Sequence, residues 1–171
     1  MKRIAILLAV VAAIISAGTA SAQESLLIDK GAFKITLLSE DGVPLMEFPV
    51  ATGRYPGQKR YNGDCRTPEG DFSIIAISDM RNMYYYDSTY GYVRTYGSYF
   101  CLLETGYTGI GIHGTFPQKD HQIGTRASLG CVRLHDEDIL VLYPHLFVGM
   151  KVKIIPGTDD LRADGRLTDA E

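Results

Sequence analysis

Short apolar stretches, each bounded by turn-forming residues, are the feature of this sequence that most limits its fold. The stretches SLLID (25–29), DFSIIAIS (71–78) and MKVKIIP (150–156) are five to eight residues long, and apolar and polar residues alternate in parts of them. Gly, Pro, Asn and Asp crowd the segments between them, as is typical of connections between strands. The pattern predicts a mainly β domain, a sandwich or a barrel-like pair of sheets, with one or two short helices.

Local signals divide the chain further. The segment DKG (29–31) separates two apolar stretches and predicts a β-hairpin. Apolar residues at helical spacing in 136–146 predict a short helix, whose first turn Asp136 could cap. The charged segment 157–171 predicts a loose polar tail. The tyrosine-rich segment 84–99 fits neither pattern, and we expect it to form a surface flap.

The first 22 residues have the pattern of a secretory signal peptide. Lys2 and Arg3 form a positive start, an apolar run follows at 4–15, and small residues occupy 20–22. The apolar run is shorter than the roughly 18 residues of a membrane anchor. We therefore expect export to a periplasm with cleavage after residue 22, which leaves a soluble domain at 23–156 followed by the polar tail.

Charge excludes one class of partner. Loss of Lys2 and Arg3 with the signal peptide changes the formal net charge from −3 to −5. A mildly acidic chain without a stripe of basic residues offers no surface for nucleic acid. The remaining length suits one domain with a single core.

Three cysteines in an exported chain leave at least one thiol without a partner in its own chain. Cys65 and Cys101 could form a disulfide, which an oxidising compartment permits. Cys101 lies in the apolar stretch SYFCLLE and is equally suited to be a buried free thiol. For Cys131 the sequence leaves four options, namely core packing, a disulfide, a metal ligand and a nucleophile.

The surroundings of Cys131 favour the nucleophile. His113 ends the predicted strand TGIGIHG eighteen positions earlier, and a neighbouring imidazole assists a thiol whose unperturbed pKa is about 8.5. The loop 128–130 could direct backbone amides at an oxyanion. A zinc site made of His113, His121, Cys131 and His135 is the competing idea, but the spacings match no compact ligand pattern. His121, His135 and His145 are expected at the surface or at helix caps.

The string GIGIHGTFPQKDHQIGTRASLGCVRL (109–134) resembles the signature of the YkuD-type L,D-transpeptidases, which runs His-Gly, a spacer, then Ser/Thr-x-Gly-Cys, a hydrophobic residue and Arg or Asn. Fourteen residues, 114 to 127, separate His113 from Ser128 in this chain. The segment DCRTPEGDFSI (64–74) resembles the family's Thr-Pro-x-Gly-x-Phe motif, and 133–156 resembles its closing helix and strand. The resemblance implies the same β-rich fold over nearly the whole mature chain.

The resemblance also implies roles for individual residues. Cys131 would be the nucleophile and His113 the general base, with the ring oriented by the main chain of Gly114. The amides of Gly130 and Cys131 would form the oxyanion hole. Ser128 would fix the loop, and Arg133 would hold a substrate carboxylate.

Two features qualify that transfer of roles. Many family members carry histidine where this chain has Leu129, and a leucine there would make the pocket drier and raise the pKa of a thiol. Arg133 could instead be a surface residue paired with Asp136 or Glu137. Neither feature removes the Cys131–His113 pair that the resemblance identifies.

The implied activity is transfer of a peptidoglycan stem peptide. An acyl-enzyme would form on Cys131 with release of D-Ala, and an amine acceptor would resolve it, with no metal or organic cofactor. The alternatives are an L,D-carboxypeptidase or stem-peptide hydrolase that uses the same thiol, and a non-catalytic cell-wall-binding module. The sequence contains no signal for an oligomeric state.

Overall fold

The structure is a computed structural model and describes residues 23–167. The predicted signal peptide therefore lies outside the described residues, as do residues 168–171. Within the described part, no helix has the length and apolar character needed to cross a membrane.

Twelve strands and two short α-helices make up the described chain. The strands are β1 (Ser25–Asp29), β2 (Lys34–Leu38), β3 (Pro44–Pro49), β4 (Thr52–Gly53), β5 (Gly70–Asp79), β6 (Tyr85–Asp87), β7 (Gly91–Val93), β8 (Tyr99–Leu103), β9 (Gly111–His113), β10 (Arg126–Ser128), β11 (Val132–Arg133) and β12 (Lys151–Ile155). The helices are α1 (Asp136–Leu142) and α2 (Thr158–Ala163), and single 3-10 turns cover Pro117–Gln122 and Tyr143–His145. The mainly β prediction is confirmed.

Eight strands form one sheet in the order β11-β9-β8-β5-β12-β1-β2-β3. Two further pairs, β10 with β4 and β6 with β7, form small ribbons. The N-terminal strands β1, β2 and β3 join the rest of the sheet only through β12, since β12 pairs with β1 on one side and with β5 on the other.

The two edges of the large sheet are tied together. Ala51, just after β3, forms an antiparallel bridge with Arg133 of β11. The Ala51 amide donates to the Arg133 carbonyl at 2.8 Å, and the Arg133 amide donates back at 3.0 Å. Because β3 and β11 are the outermost strands, this bridge gives the sheet its barrel-like closure and satisfies backbone groups that an open edge would expose.

The core lies inside this curled sheet and beneath α1. The alternation that predicted the strands is visible in their burial, since Leu26 and Ile28 of β1 face inward between half-exposed neighbours. The other large core side chains are Ile35, Leu37, Ile74, Leu103, Ile112, Leu134, Ile139, Leu142 and Met150.

The DKG turn folds as the sequence predicts. β1 and β2 pair antiparallel with Asp29 opposite Lys34, and the Asp29 carboxylate accepts hydrogen bonds from the amides of Gly31 and Ala32 at 2.8 and 2.9 Å. Lys30 departs from expectation, because its side chain is fully buried.

The expectation of a loose tail after residue 157 was wrong. Residues 158–163 form α2, and Asp160 on that helix is fully buried. The Asp160 carboxylate lies 2.9 Å from Lys30 Nζ and 3.1 Å from Arg126 Nη2, and it accepts the Gly57 amide at 2.7 Å. Burial raises the pKa of Asp160, but these cations and the amides of Gly157 and Gly57 outweigh it, so the pKa is lowered overall.

The helix-cap prediction for Asp136 was also wrong. His135 occupies the N-cap position of α1, and Asp136 is the first helical residue. The Asp136 carboxylate instead accepts hydrogen bonds from the Ser98 amide and hydroxyl at 2.6 and 2.9 Å, and it pairs with Arg94 at 3.3 Å. Asp136 therefore ties α1 to the residues that precede β8.

We predict that Asp160→Asn destabilises the protein by about 3 kcal/mol, because it removes a buried charge that balances Lys30 together with Glu69 and that also pairs with Arg126. Urea unfolding measures the change. Asp159→Asn, one position earlier on the exposed side of α2, is the matched control and should change stability by less than about 0.5 kcal/mol. Equal effects of the two substitutions would contradict the buried-pair interpretation.

Candidate active site

Two short strands place His113 beside Cys131. β11 pairs parallel with β9, with Val132 opposite Ile112 and Arg133 opposite His113. Cys131 immediately precedes β11, and the Leu134 amide donates to the His113 carbonyl at 2.8 Å. Residues eighteen positions apart in sequence are thus brought to adjacent strands.

One cavity of about 270 Å³ is lined by both Cys131 and His113. The other lining residues that matter here are Lys59, Tyr96, Phe116, Leu129 and Arg133. The cavity therefore joins the thiol and the imidazole with three cationic side chains, the third being Lys119, and with two aromatic rings.

The His113 ring is fixed in one orientation. Its side chain is buried, and Nδ1 lies 2.5 Å from the carbonyl oxygen of Gly114. A carbonyl can only accept, so Nδ1 carries the proton and Nε2 is left as the acceptor. The Tyr96 ring stands edge-on at 5.0 Å and the Phe100 ring is nearly parallel at 5.7 Å, which holds the imidazole between them.

Burial keeps the imidazole neutral. It lowers the pKa of His113 to about 4, an effect that the Gly114 carbonyl opposes and the Arg133 charge reinforces. At neutral pH the ring is therefore an uncharged base rather than an imidazolium.

The Cys131 thiol is also neutral at rest. Its Sγ donates to the Gly109 carbonyl at 3.3 Å. Burial raises the pKa of the thiol, while the Gly111 amide and the charges of Arg133 and Lys59 lower it, and burial dominates. The pair therefore starts as thiol and imidazole, and a proton must move as the sulfur reacts.

The loop that carries Cys131 is braced from both sides. Ser128 is buried, and its hydroxyl donates to the Cys131 carbonyl at 2.6 Å and accepts from the Gly130 amide at 3.0 Å. Thr67, from the Thr-Pro-x-Gly-x-Phe segment, donates its hydroxyl to the Gly130 carbonyl at 2.9 Å. The two segments that resemble the family's motifs, 64–74 and 109–134, are therefore in contact at this loop.

Gly130 is required by the backbone. Its φ is +132°, and a Cβ at this position would lie 2.9 Å from Ile110 Cδ1 and 3.0 Å from the Arg66 carbonyl oxygen. A side chain would be strained and would clash with the main chain at the site.

The amide of Gly130 does not face the cavity as an open donor, because Ser128 accepts its hydrogen bond. The expectation of an oxyanion hole made of both the Gly130 and Cys131 amides therefore lacks one of its donors in this conformation. The backbone amide that contacts the thiol is that of Gly111.

Arg133 and Leu129 also differ from the simplest expectations. Arg133 is half-buried, and its Nη1 donates to Gln122 Oε1 at 2.7 Å, whereas Asp136 pairs with Arg94. Leu129 lines the cavity but is 67% exposed, so it lies at the rim and does not bury the thiol. The drying effect expected of Leu129 is correspondingly small.

The remaining cysteines and histidines lie away from this chemistry. All three cysteines are free, so Cys65 and Cys101 are not joined, and burial raises the pKa of Cys101 to about 12. His121 is exposed, while His135 contacts Asp120 and His145 contacts Glu24. Among residues 23–167 no three His, Cys, Asp or Glu side chains cluster closely enough to hold a metal ion.

Sequence reasoning missed Lys59 and Tyr96 as cavity residues. Lys59 lies in the polar loop 54–69, where no periodicity marks a side chain as buried. Tyr96 is one of several tyrosines in the predicted flap, which contains the hairpin of β6 and β7. Tyr86 and Tyr92 of that hairpin are 71% and 75% exposed, whereas Tyr96 turns inward against His113. Composition alone does not distinguish these tyrosines.

The fold and the cavity define a mainly β domain in which a thiol and an imidazole from adjacent strands line one cavity. The sequence profile of the YkuD family, described as the L,D-transpeptidase catalytic domain, matches residues 23–154. The chain belongs to this family.

Individual relatives agree with that assignment. YqjB of Bacillus subtilis, which is named as an L,D-transpeptidase, is 32% identical over 125 residues that cover 68% of this chain and 61% of YqjB. An L,D-transpeptidase structure from Mycobacterium smegmatis superposes with a TM-score of 0.55 at 20% identity, covering 78% of this chain and 59% of the other. This chain thus spans about 60% of the length of both relatives.

The catalytic domain of the E. faecium L,D-transpeptidase superposes with a TM-score of 0.57 at 17% identity. The alignment covers 78% of this chain and 98% of that domain. The fold of this chain is therefore that of an L,D-transpeptidase catalytic domain.

We predict that the His113 ring stays neutral, with its proton on Nδ1, from neutral pH down to about pH 4. Nitrogen-15 NMR of the ring measures this directly. The unfolded ring titrates near 6.5, so the stability that this group contributes is complete above that pH and is lost as the pH falls towards 4. A native midpoint near 6.5 would contradict the burial argument, and urea-unfolded protein provides the reference titration.

Proposed function

We propose that this protein is an exported cysteine L,D-transpeptidase that acts on peptidoglycan stem peptides. The observation that carries the proposal is the shared cavity of Cys131 and His113, in which the imidazole is held with Nε2 as the acceptor. Membership of the L,D-transpeptidase family supplies the substrate class. Export rests on the pattern of residues 1–22.

The first half of the reaction is acylation. The Cys131 proton passes to His113 Nε2 while Sγ bonds to the carbonyl carbon that follows the L-centre of the donor's diamino acid. We assign the stabilisation of the developing oxyanion to the Cys131 amide. The intermediate then collapses, the bond to the terminal D-Ala breaks, and His113 returns the proton to the departing amine.

The second half is transfer. An acceptor amine loses a proton to His113 and attacks the acyl carbon, and the Cys131 sulfur leaves and is reprotonated. The amine can be the side chain of a diamino acid on a neighbouring stem, which yields a cross-link. If water takes its place, the same intermediate yields the shortened stem of an L,D-carboxypeptidase.

Arg133 provides the positive charge that an anionic stem peptide requires. Its guanidinium borders the cavity and is oriented by Gln122. A planar guanidinium suits a carboxylate. We infer that Arg133 binds a carboxylate of the donor stem.

We predict that mixing the mature protein with a disaccharide-tetrapeptide gives a mass adduct on Cys131 equal to the donor minus D-Ala. Cys131→Ala should abolish the adduct while circular dichroism shows an unchanged fold. Cys65→Ala, which removes the other partly exposed thiol, is the matched control and should retain the adduct.

Product analysis with and without an added amine separates the outcomes of that experiment. A cross-linked or exchanged product supports the transpeptidase, and shortened stem alone supports the carboxypeptidase. Absence of any adduct on folded, reduced protein would overturn the proposal in favour of a binding module.

We predict that His113→Ala lowers the acylation rate by roughly 10² to 10⁴, the contribution of a positioned general base. His121→Ala changes an exposed histidine outside the cavity and should have little effect. Single-turnover mass spectrometry measures both rates. Equal losses in the two variants would show that His113 is not the base.

A further inference from the structure

Lys59 is a buried cation in the proposed active-site cavity. Its side chain is only 1% exposed, and Nζ donates to Asp64 Oδ1 at 2.7 Å. Nζ also lies 5.3 Å from the centre of the Tyr107 ring, on its face. A buried ammonium is costly unless it is paired, so its place beside a reactive thiol is informative.

Asp64 holds this ammonium in place. One carboxylate oxygen accepts the Arg60 amide at 2.8 Å, and the other accepts the Arg66 amide at 3.1 Å. Burial raises the pKa of Asp64, but the hydrogen bond from Lys59 and these amides lower it overall to about 2. Lys59 therefore has a partner that stays charged through the working pH range, and its long side chain loses the freedom to point elsewhere.

The fixed ammonium reaches the loop that carries Cys131. A Cβ placed on Gly130 would lie 3.6 Å from Lys59 Nζ, and Gly130 directly precedes Cys131. Lys59 and Cys131 line the same cavity. At such separations a charge shielded from water acts strongly on a neighbouring ionisation.

The neutral state of His113 makes this charge important. In a thiolate–imidazolium pair the imidazolium would stabilise the sulfur anion, but the buried ring of His113 is uncharged at neutral pH. Until the ring takes up the thiol proton, positive charge near the sulfur must come from other groups, and Lys59 and Arg133 are the two cations that favour the anionic sulfur. Arg133 is already assigned to substrate, which leaves Lys59 unexplained.

We propose that Lys59 is a positioning residue whose ammonium, fixed by Asp64, stabilises the anionic sulfur of Cys131 as its proton leaves. The inference deepens the proposed function and rests on it for the identity of the nucleophile. Lys59 acts through its charge and needs no contact with the substrate.

The test measures how fast iodoacetamide alkylates Cys131 between pH 6 and 10, with each cysteine resolved by peptide mass spectrometry. The variant is Lys59→Gln combined with Asp64→Asn, because loss of the lysine alone would leave a buried unpaired carboxylate. We expect alkylation at neutral pH to slow about tenfold, the effect of one pKa unit, and the pH midpoint to rise. Lys59→Arg, which keeps the charge, should restore most of the rate.

Two single variants sharpen the result. Lys59→Gln alone removes the ammonium and leaves the Asp64 carboxylate, so Cys131 should react no faster than in the double variant. Lys119→Gln removes another cavity-lining cation, which pairs with Asp87 and is 25% exposed, and should change the rate by less than about twofold because solvent screens it.

An unchanged alkylation profile in the folded double variant would overturn the inference. If that variant does not fold, an unchanged alkylation rate in Lys59→Gln would overturn it instead, and slower alkylation would support it. Because alkylation needs no peptidoglycan substrate, this test can fail while the acyl adduct on Cys131 still forms, and the reverse also holds.

Discussion

The closure between Ala51 and Arg133 is the interaction on which the cavity depends. β11 is only two residues long, and alone it would be a weak edge strand held by β9. The two hydrogen bonds between Ala51 and Arg133 hold the outer side of β11. The Arg133 backbone is therefore fixed between Ala51 and β9. Cys131 lies two residues before Arg133. The Ser128 hydroxyl donates to the Cys131 carbonyl and the Thr67 hydroxyl donates to the Gly130 carbonyl. The backbone that carries the thiol is therefore fixed by hydrogen bonds on both sides.

Burial and charge oppose each other throughout the site. Burial holds both Cys131 and His113 neutral, while Lys59 and Arg133 favour the anion that forms when the proton moves. A permanently charged thiolate would be prone to oxidation. A neutral pair avoids that exposure, and the cations lower the cost of ionisation when a substrate arrives.

The sequence predicted those parts of the molecule that follow from local rules or from the motif. The β1–β2 hairpin follows from a turn signal, and the His113–Cys131 pair follows from spacing and residue type. Lys30, Lys59 and Asp160 could not be recognised, because a charged residue is buried only where the fold brings a partner to balance it. The partners of Lys30 are Glu69 and Asp160, which lie 39 and 130 positions away, and the partner of Lys59 lies five positions away in an irregular loop. The prediction of a loose tail at 157–171 was wrong for the same reason, because polar composition does not indicate that Asp160 is buried.

The place of β12 in the sheet has a consequence for the order of folding. β12 is the last strand to be synthesised, yet it lies between β5 and β1 and is their only link within the large sheet. The β1–β2 hairpin is synthesised first, and its inward face stays uncovered until β12, the last strand, has been synthesised. Pairings between such distant segments slow folding. The large sheet is therefore completed only after nearly all of the domain has been synthesised, and its early hairpin stays incomplete until then.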